Sequence, residues 1–237
     1  MLRSRSHRVI LSFYCGVGIT FAIPYAFALF RNGGFARGPF HDVGPLFAVT
    51  FLVLCAVIAG LRNVASMPLG LRANWIVRVT ELNAPSDYFR AIRRALMVCS
   101  VVPVWIGSGI FLCAFLPLRV VAEHLVVLAM VGGILVEFCL YSFRKIPFTC
   151  SYLQGKGNLH FAFLACALVH LPVIGTAAEW EAQMLSTPLR FTVMILVLGA
   201  GLFGVRRGAP STFRPIVTVQ FNESESPLVQ TLSLSRY

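Results

Sequence analysis

Glu137 and His170 are the residues of this chain best placed to do chemistry, because each lies inside an apolar run long enough to cross a lipid bilayer. An ionisable side chain in hydrocarbon is expensive, so its presence there is a functional hypothesis by default. A carboxylate at 137 suits a proton relay, a cation site or a substrate contact. The competing reading is a protonated Glu, or one that snorkels toward Arg144 and Lys145 two turns further on. His170, two residues before Pro172, reads also as a hydrogen-bonded residue between helices. Glu137 falls about 9 Å to one side of the middle of its run, and His170 sits near mid-depth on an antiparallel neighbour. That separation disfavours a direct pair and leaves a water-bridged one open.

Other ionisable groups gather at the ends of apolar runs. Glu123 and His124 open one run, and Glu179 and Glu181 flank Trp180 at the close of the next. These read as interfacial residues, with Trp180 in an aromatic belt. They lack HxxxH or HExxH spacing, so no metal site is expected. No GxSxG nucleophile motif is present. Gly155-Lys156 is followed by Gly157 and lacks the earlier glycine of a phosphate loop, so no nucleotide site and no cofactor are expected. Seven cysteines, without a CxxC pair, fit neither a disulfide framework nor a zinc site. Arg90, Arg93 and Arg94 share one side of a helix expected to start near Ser86, which suits contact with anionic lipid or docking of a cytoplasmic partner. An enzyme acting on lipid is the weakest reading, because only the 144–160 loop offers convergent polar residues.

The elements that must carry these residues are membrane helices. Of the 237 residues, 57% are hydrophobic and only 12% charged, about half the charge of a soluble domain. Too little polar surface remains to cover a soluble fold. Six apolar runs, at 9–30, 45–61, 96–116, 120–143, 161–178 and 191–205, predict an all-α integral membrane protein with a six-helix bundle at 1–206. A short tail follows at 207–237. Without water to satisfy an open backbone, runs of this kind must be helical. Prolines 24, 103 and 172 fall inside spans one, three and five. Ala200, Gly204 and Gly208 repeat at small-xxx-small spacing, which suggests close helix packing. Leu71, Trp75, Val79 and Leu82 predict an amphipathic interfacial helix between spans two and three.

The net charge of +11 would suggest nucleic acid in a soluble protein. Here the Arg and Lys residues fall in alternate connections, 16 against 4. The positive-inside rule therefore predicts both termini in the cytoplasm and no nucleic-acid partner. The first apolar run is longer than a signal-peptide core, which favours an uncleaved span. In the tail, 216–221 and 228–234 alternate like strands, and Asn222-Glu223-Ser224 matches a glycosylation sequon that a cytoplasmic tail would never use.

The string Arg144-Lys145-Ile146-Pro147-Phe148-Thr149-Cys150-Ser151-Tyr152-Leu153, together with Leu71-Arg72-Ala73-Asn74-Trp75-Ile76, resembles two loops of uncharacterised bacterial multi-spanning integral membrane proteins. The resemblance implies a bacterial inner-membrane protein, shorter than most of that group, and carries no activity. The six-span layout is also similar to the membrane half of an ATP-binding-cassette exporter. Two functions are therefore expected. One is a transport-related, permease-like subunit that lacks its own ATPase and works in the bilayer with a separate ATPase or a second membrane subunit. The alternative is a non-transporting scaffold or sensor that binds cytoplasmic partners.

Overall fold

The computed structural model describes residues 5–31, 43–65, 85–141 and 159–208, with side chains described for 7–27, 43–65, 90–140 and 171–208. All regular structure among these residues is helical: α1 (Arg5–Arg31), α2 (Gly44–Ala65), α3 (Pro85–Leu96), α4 (Val102–Cys113), α5 (Leu118–Tyr141), α6 (Leu159–Met184) and α7 (Pro188–Gly208). Five stretches are long and apolar enough to cross a membrane, namely His7–Phe27, Gly44–Ala65, Arg90–Cys113, Leu118–Leu140 and Pro188–Gly208. The expected helix over 71–82, the 144–160 loop with Arg144 and Lys145, and the strand-like tail segments lie outside the described residues.

The apolar runs underestimate the helices. α2 and α7 have 22 and 21 residues against the shorter runs at 45–61 and 191–205. A helix satisfies its backbone internally and continues through polar residues at the interface. Proline sets two of the boundaries. α3 begins at Pro85, one residue before the expected cap; proline suits the first helical turn, where its missing N–H would have had no partner. α4 ends at Cys113, short of the apolar run to 116, because Leu116 precedes Pro117 and the residue before proline disfavours the helical conformation.

Between α3 and α4 the chain makes one π-helical turn, Met97–Val101, closed by the Val102 N–H donating to the Met97 carbonyl. Pro103 explains the irregularity. It has no N–H to return to the carbonyl of Cys99, so the ladder loses one regular bond and widens by a residue. The buried Ser100 hydroxyl donates back to the Leu96 carbonyl within this turn. α3, the π-turn and α4 thus form one membrane-length rod with Arg93 at one end. Pro24 and Pro172 lie inside α1 and α6, and both helices are continuous through them.

Register follows from the close contacts. α1 and α2 are antiparallel: a Cβ added at Gly18 would lie 2.6 Å from Ala56 Cβ, and one at Gly60 would lie 3.0 Å from Tyr14 Cβ. Asn63 Nδ2 donates to the Tyr14 hydroxyl at 2.8 Å on the same seam. α4 and α5 are antiparallel, with Trp105 Nε1 donating to the Leu125 carbonyl. α5 and α7 run parallel, with Gly133 against Leu202 and Gly199 against Met130. The apolar core, which includes Phe47, Leu54, Leu112, Leu128 and Val136, lies among α2, α4 and α5.

The small-residue repeat of α7 does not do what its spacing suggests. A Cβ at Gly204 or Gly208 would meet nothing within 4 Å, and α7 has no buried residue. The close packing is instead on α2, where Ala56 and Gly60 hold the same four-residue spacing against α1.

Candidate functional site

Two buried polar clusters lie at opposite ends of the bundle. α5 carries a member of each, Glu137 and His124, about 20 Å apart along its axis.

The first cluster centres on Glu137, which is 1% exposed. Arg93, on α3, reaches it side-on: Nε lies 2.7 Å from Oε1, and Nη2 donates to Oε2 at 3.0 Å. Arg206, in the last turn of α7, adds Nε at 3.3 Å from Oε1. One carboxylate therefore ties α5 to α3 and to α7. A carboxylate desolvated to this degree is tolerable only with charge-assisted partners. Arg206 is also well placed for its own helix, since a cation at a helix C-terminus offsets the dipole.

Sequence reasoning singled out Glu137; Arg144 and Lys145, which it offered as one set of partners, lie outside the described residues, and the described partners are Arg93 and Arg206. Glu137 is buried rather than exposed. Arg93 turns toward it and is one-quarter exposed, whereas Arg90 and Arg94 are exposed and remain on the surface expected for all three. The backbone places His170 inside α6, and its side chain is outside the described residues. The signal for Arg206 in the sequence is its place as a basic residue at the close of the last apolar helix, at the same end of the bundle as Glu137.

The second cluster corrects an expectation. His124 and Glu181 are not interfacial surface residues; their side chains are 0% and 3% exposed. His124 Nδ1 lies 2.8 Å from Glu181 Oε1, and His124 Nε2 lies 2.9 Å from Thr50 Oγ1. Thr50 Oγ1 also donates to the Phe47 carbonyl at 2.7 Å. Phe47 stacks on the imidazole, with centroids 4.1 Å apart and planes 6° from parallel, and Phe51 meets it edge-on at 5.6 Å. Glu181 Oε2 is buried and has no hydrogen-bond partner among the described residues. The cluster joins α2, α5 and α6. Its signal in the sequence was depth: residues 124 and 181 stand at the same end of two antiparallel helices.

Hydroxyl, imidazole and carboxylate in line resemble the order of an acyl-transfer triad. Here the order does not make a nucleophile. Thr50 is 3% exposed and its hydroxyl is bonded to the Phe47 carbonyl, which leaves Oγ1 without the open approach that an acyl donor needs. The arrangement can hold and pass a proton. Among the described residues no group of three metal-ligating side chains converges.

Between the clusters, α1, α2, α5 and α6 enclose a half-open cavity of about 380 Å³. Val17, Phe21, Phe51, Ala56, Val131 and Ala177 are among its walls. Phe51 belongs both to this wall and to the shield over His124. The cavity is apolar and large enough for part of a lipid chain or a small hydrophobic molecule.

The two ends also differ in charge. Arg8, Arg62, Arg90, Arg93, Arg94, Arg206 and Arg207 lie at the Glu137 end, and Glu123, Glu179 and Glu181 lie at the His124 end with Arg119 and Arg190. Arg119 Nε donates to Glu123 at 2.9 Å. Comparison with known proteins returns no matching family, no similar curated protein and no similar solved structure.

Proposed function

We propose that this chain is a transport-related, permease-like subunit of the bacterial inner membrane, with six spans and both termini in the cytoplasm. In addition to the five long apolar stretches, α6 supplies the remaining span, fifth in chain order: its 26 residues extend about 39 Å, enough to cross the hydrocarbon layer. The arginine-rich end is cytoplasmic by the positive-inside rule, which puts Glu137 on the inner side and His124 on the outer side. A separate ATPase or second membrane subunit is the partner that the exposed Arg90 and Arg94 would meet.

The observation that carries the transport reading is the Arg93–Glu137–Arg206 cluster. It ties α3, α5 and α7 together with charge-assisted bonds at the inner end, while a half-open apolar cavity lies further out among α1, α2, α5 and α6. α7 packs chiefly on α5, so its inner end depends heavily on the pair at Glu137. Bonds of this kind can break and re-form when a gate moves, whereas apolar packing of the same area would fix it. In this reading the carboxylate is a latch, and the cavity is where a hydrophobic substrate rests.

Spin labels at the exposed positions Arg90 and Arg207 would report on the latch without touching it. Pulsed dipolar distances in lipid bilayers should show two populations, with Glu137→Gln shifting the balance to the longer one. A single narrow distance, unchanged by Glu137→Gln, would support the scaffold reading and remove the transport one.

A further inference from the structure

We propose that Thr50, His124 and Glu181 form a proton-binding site, and that a proton held there is the coupling ion of the transport cycle. The second half of this statement rests on the transport reading above; the first half stands on hydrogen-bond geometry alone.

Thr50 has one hydroxyl proton, and the structure directs it to the Phe47 carbonyl at 2.7 Å. The 2.9 Å contact between Thr50 Oγ1 and His124 Nε2 then needs a proton on Nε2, because the hydroxyl has none left to give. The 2.8 Å contact between His124 Nδ1 and Glu181 Oε1 needs a proton as well. That proton belongs either to an imidazolium facing a carboxylate or to a carboxylic acid facing a neutral imidazole. Both forms carry the same number of protons, one more than a neutral imidazole beside an ionised carboxylate. In the form with one proton fewer, the pair cannot make all three contacts at once, and it leaves a net negative charge in a dry site.

Burial makes the proton-loaded form the favoured one. Glu181 Oε2 has no partner among the described residues, which suits the carbonyl oxygen of an acid better than half of a carboxylate. The other ionisable side chains among the described residues near the site are accounted for. On α5, Arg119 and Glu123 pair with each other. Glu179 of α6 and Arg190 of α7 are exposed. Tyr25 of α1 gives its hydroxyl proton to the Leu171 carbonyl. α2 offers Thr50 and the uncharged Cys55, and α4 offers Cys113, which is exposed. Among the described residues no cation neutralises Glu181 from outside the pair.

The site is also placed to act. The helices it joins, α2, α5 and α6, are three of the four that wall the cavity. Loss of the proton would break one of the bonds between them and leave a buried charge, so the wall would loosen on the outer side.

Histidine-selective ¹⁵N labelling, with protein reconstituted in bilayers at neutral pH, reads the site directly. The chain has five histidines, and His124→Gln assigns the resonance. His124 Nε2 should be protonated. A bare Nε2 with protonated Nδ1 would overturn the proposal, because Thr50 would then be the donor. Stability should respond with a definite sign. Between pH ~7 and ~9 an unfolded His is neutral and an unfolded Glu is ionised. The folded state would hold one more proton, so its stability should fall as pH rises, by about tenfold in the unfolding constant per pH unit. Glu181→Gln should fold, since its amide can donate to Nδ1 as the acid does, and it should lose that slope. An equal slope in wild type and Glu181→Gln would also overturn the proposal. Neither readout uses transport. A protonated Nε2 together with a single, fixed Arg90–Arg207 label distance would keep the proton site and reject only its role in coupling.

Discussion

Glu137 and Arg206 stand 69 residues apart in sequence and meet at 3.3 Å, and the same offset relates Gly133 to Leu202 and Met130 to Gly199. α5 and α7 therefore run side by side in one direction and in one register, which the ion pair continues. Small residues set the approach along the seam, and the charge pair lies at one end of it.

The two arginines on Glu137 should differ in importance. Arg93 is one-quarter exposed and uses two nitrogens, whereas Arg206 is 54% exposed and uses one at a longer distance. Removing Arg93 leaves a desolvated carboxylate with its weaker partner only, and Arg93→Ala should cost about 3 kcal/mol. Arg206→Ala removes a solvated partner and should cost about 1 kcal/mol or less. Thermal unfolding in detergent micelles would rank them. Equal losses would mean that solvent exposure does not govern this cluster.

Glycine substitutions should separate the packed seam from the open one. At Gly18 a Cβ would collide with Ala56 Cβ, and both atoms are fixed to backbone, so the helices must move apart. Gly18→Ala should cost about 1–3 kcal/mol, as overpacking does. Gly204→Ala adds a methyl group to open space and should leave the melting temperature unchanged or slightly higher. Measured in micelles, the reverse order would show that the α7 repeat packs against something the bundle alone does not contain.

What was legible in the sequence, and what was not, divides along physical lines. Apolar length predicted helices at all six runs, because backbone satisfaction in lipid leaves no other choice. The helix beginning near Ser86 and running into the third span was also legible, from the break at Asn83-Ala84-Pro85. Partner choice was not. Glu137 stood out by its cost, yet local sequence pointed to Arg144 and Lys145, while the described partners come from α3 and α7. His124 and Glu181 looked interfacial because each lies near the end of an apolar run. The burial of His124 depends on Phe47 and Phe51, two α2 residues that composition does not distinguish from lipid-facing ones. The Ala200, Gly204 and Gly208 spacing was misleading for the same reason: periodicity identifies a face and does not say what covers it.

The orientation can be tested without knowing the substrate. Seven of the arginines whose side chains are described crowd the Glu137 end, and the proposed cytoplasmic placement of that end rests on this bias. A reporter fused after Gly208 should fluoresce if it is a green fluorescent protein and stay inactive if it is a periplasmic phosphatase. Fusions at Ser186, in the turn between α6 and α7, should give the opposite result. The inverse pattern would place Glu137 outside and His124 inside, and would reverse the direction of the proposed cycle.

The cavity provides the last test, because filling it should affect stability and occupancy in opposite directions. Its walls are apolar, and Ala177 projects from α6 toward α1 and α2 with room beside it. Ala177→Phe adds a ring to a space of about 380 Å³, so it should not overpack the site. Replacing void or loosely held lipid with covalently attached apolar surface should leave stability unchanged or raise it by about 1 kcal/mol. A hydrophobic guest would then have less space. Protein purified in mild detergent should retain lipid or another apolar molecule in native mass spectrometry, and Ala177→Phe should retain markedly less while folding normally. Arg190→Ala, on the exposed start of α7 and away from the cavity, serves as the control and should keep the guest. If wild type and Ala177→Phe carry the same bound species in the same amount, the cavity is not where a substrate rests, and the latch at Glu137 would need another path to close.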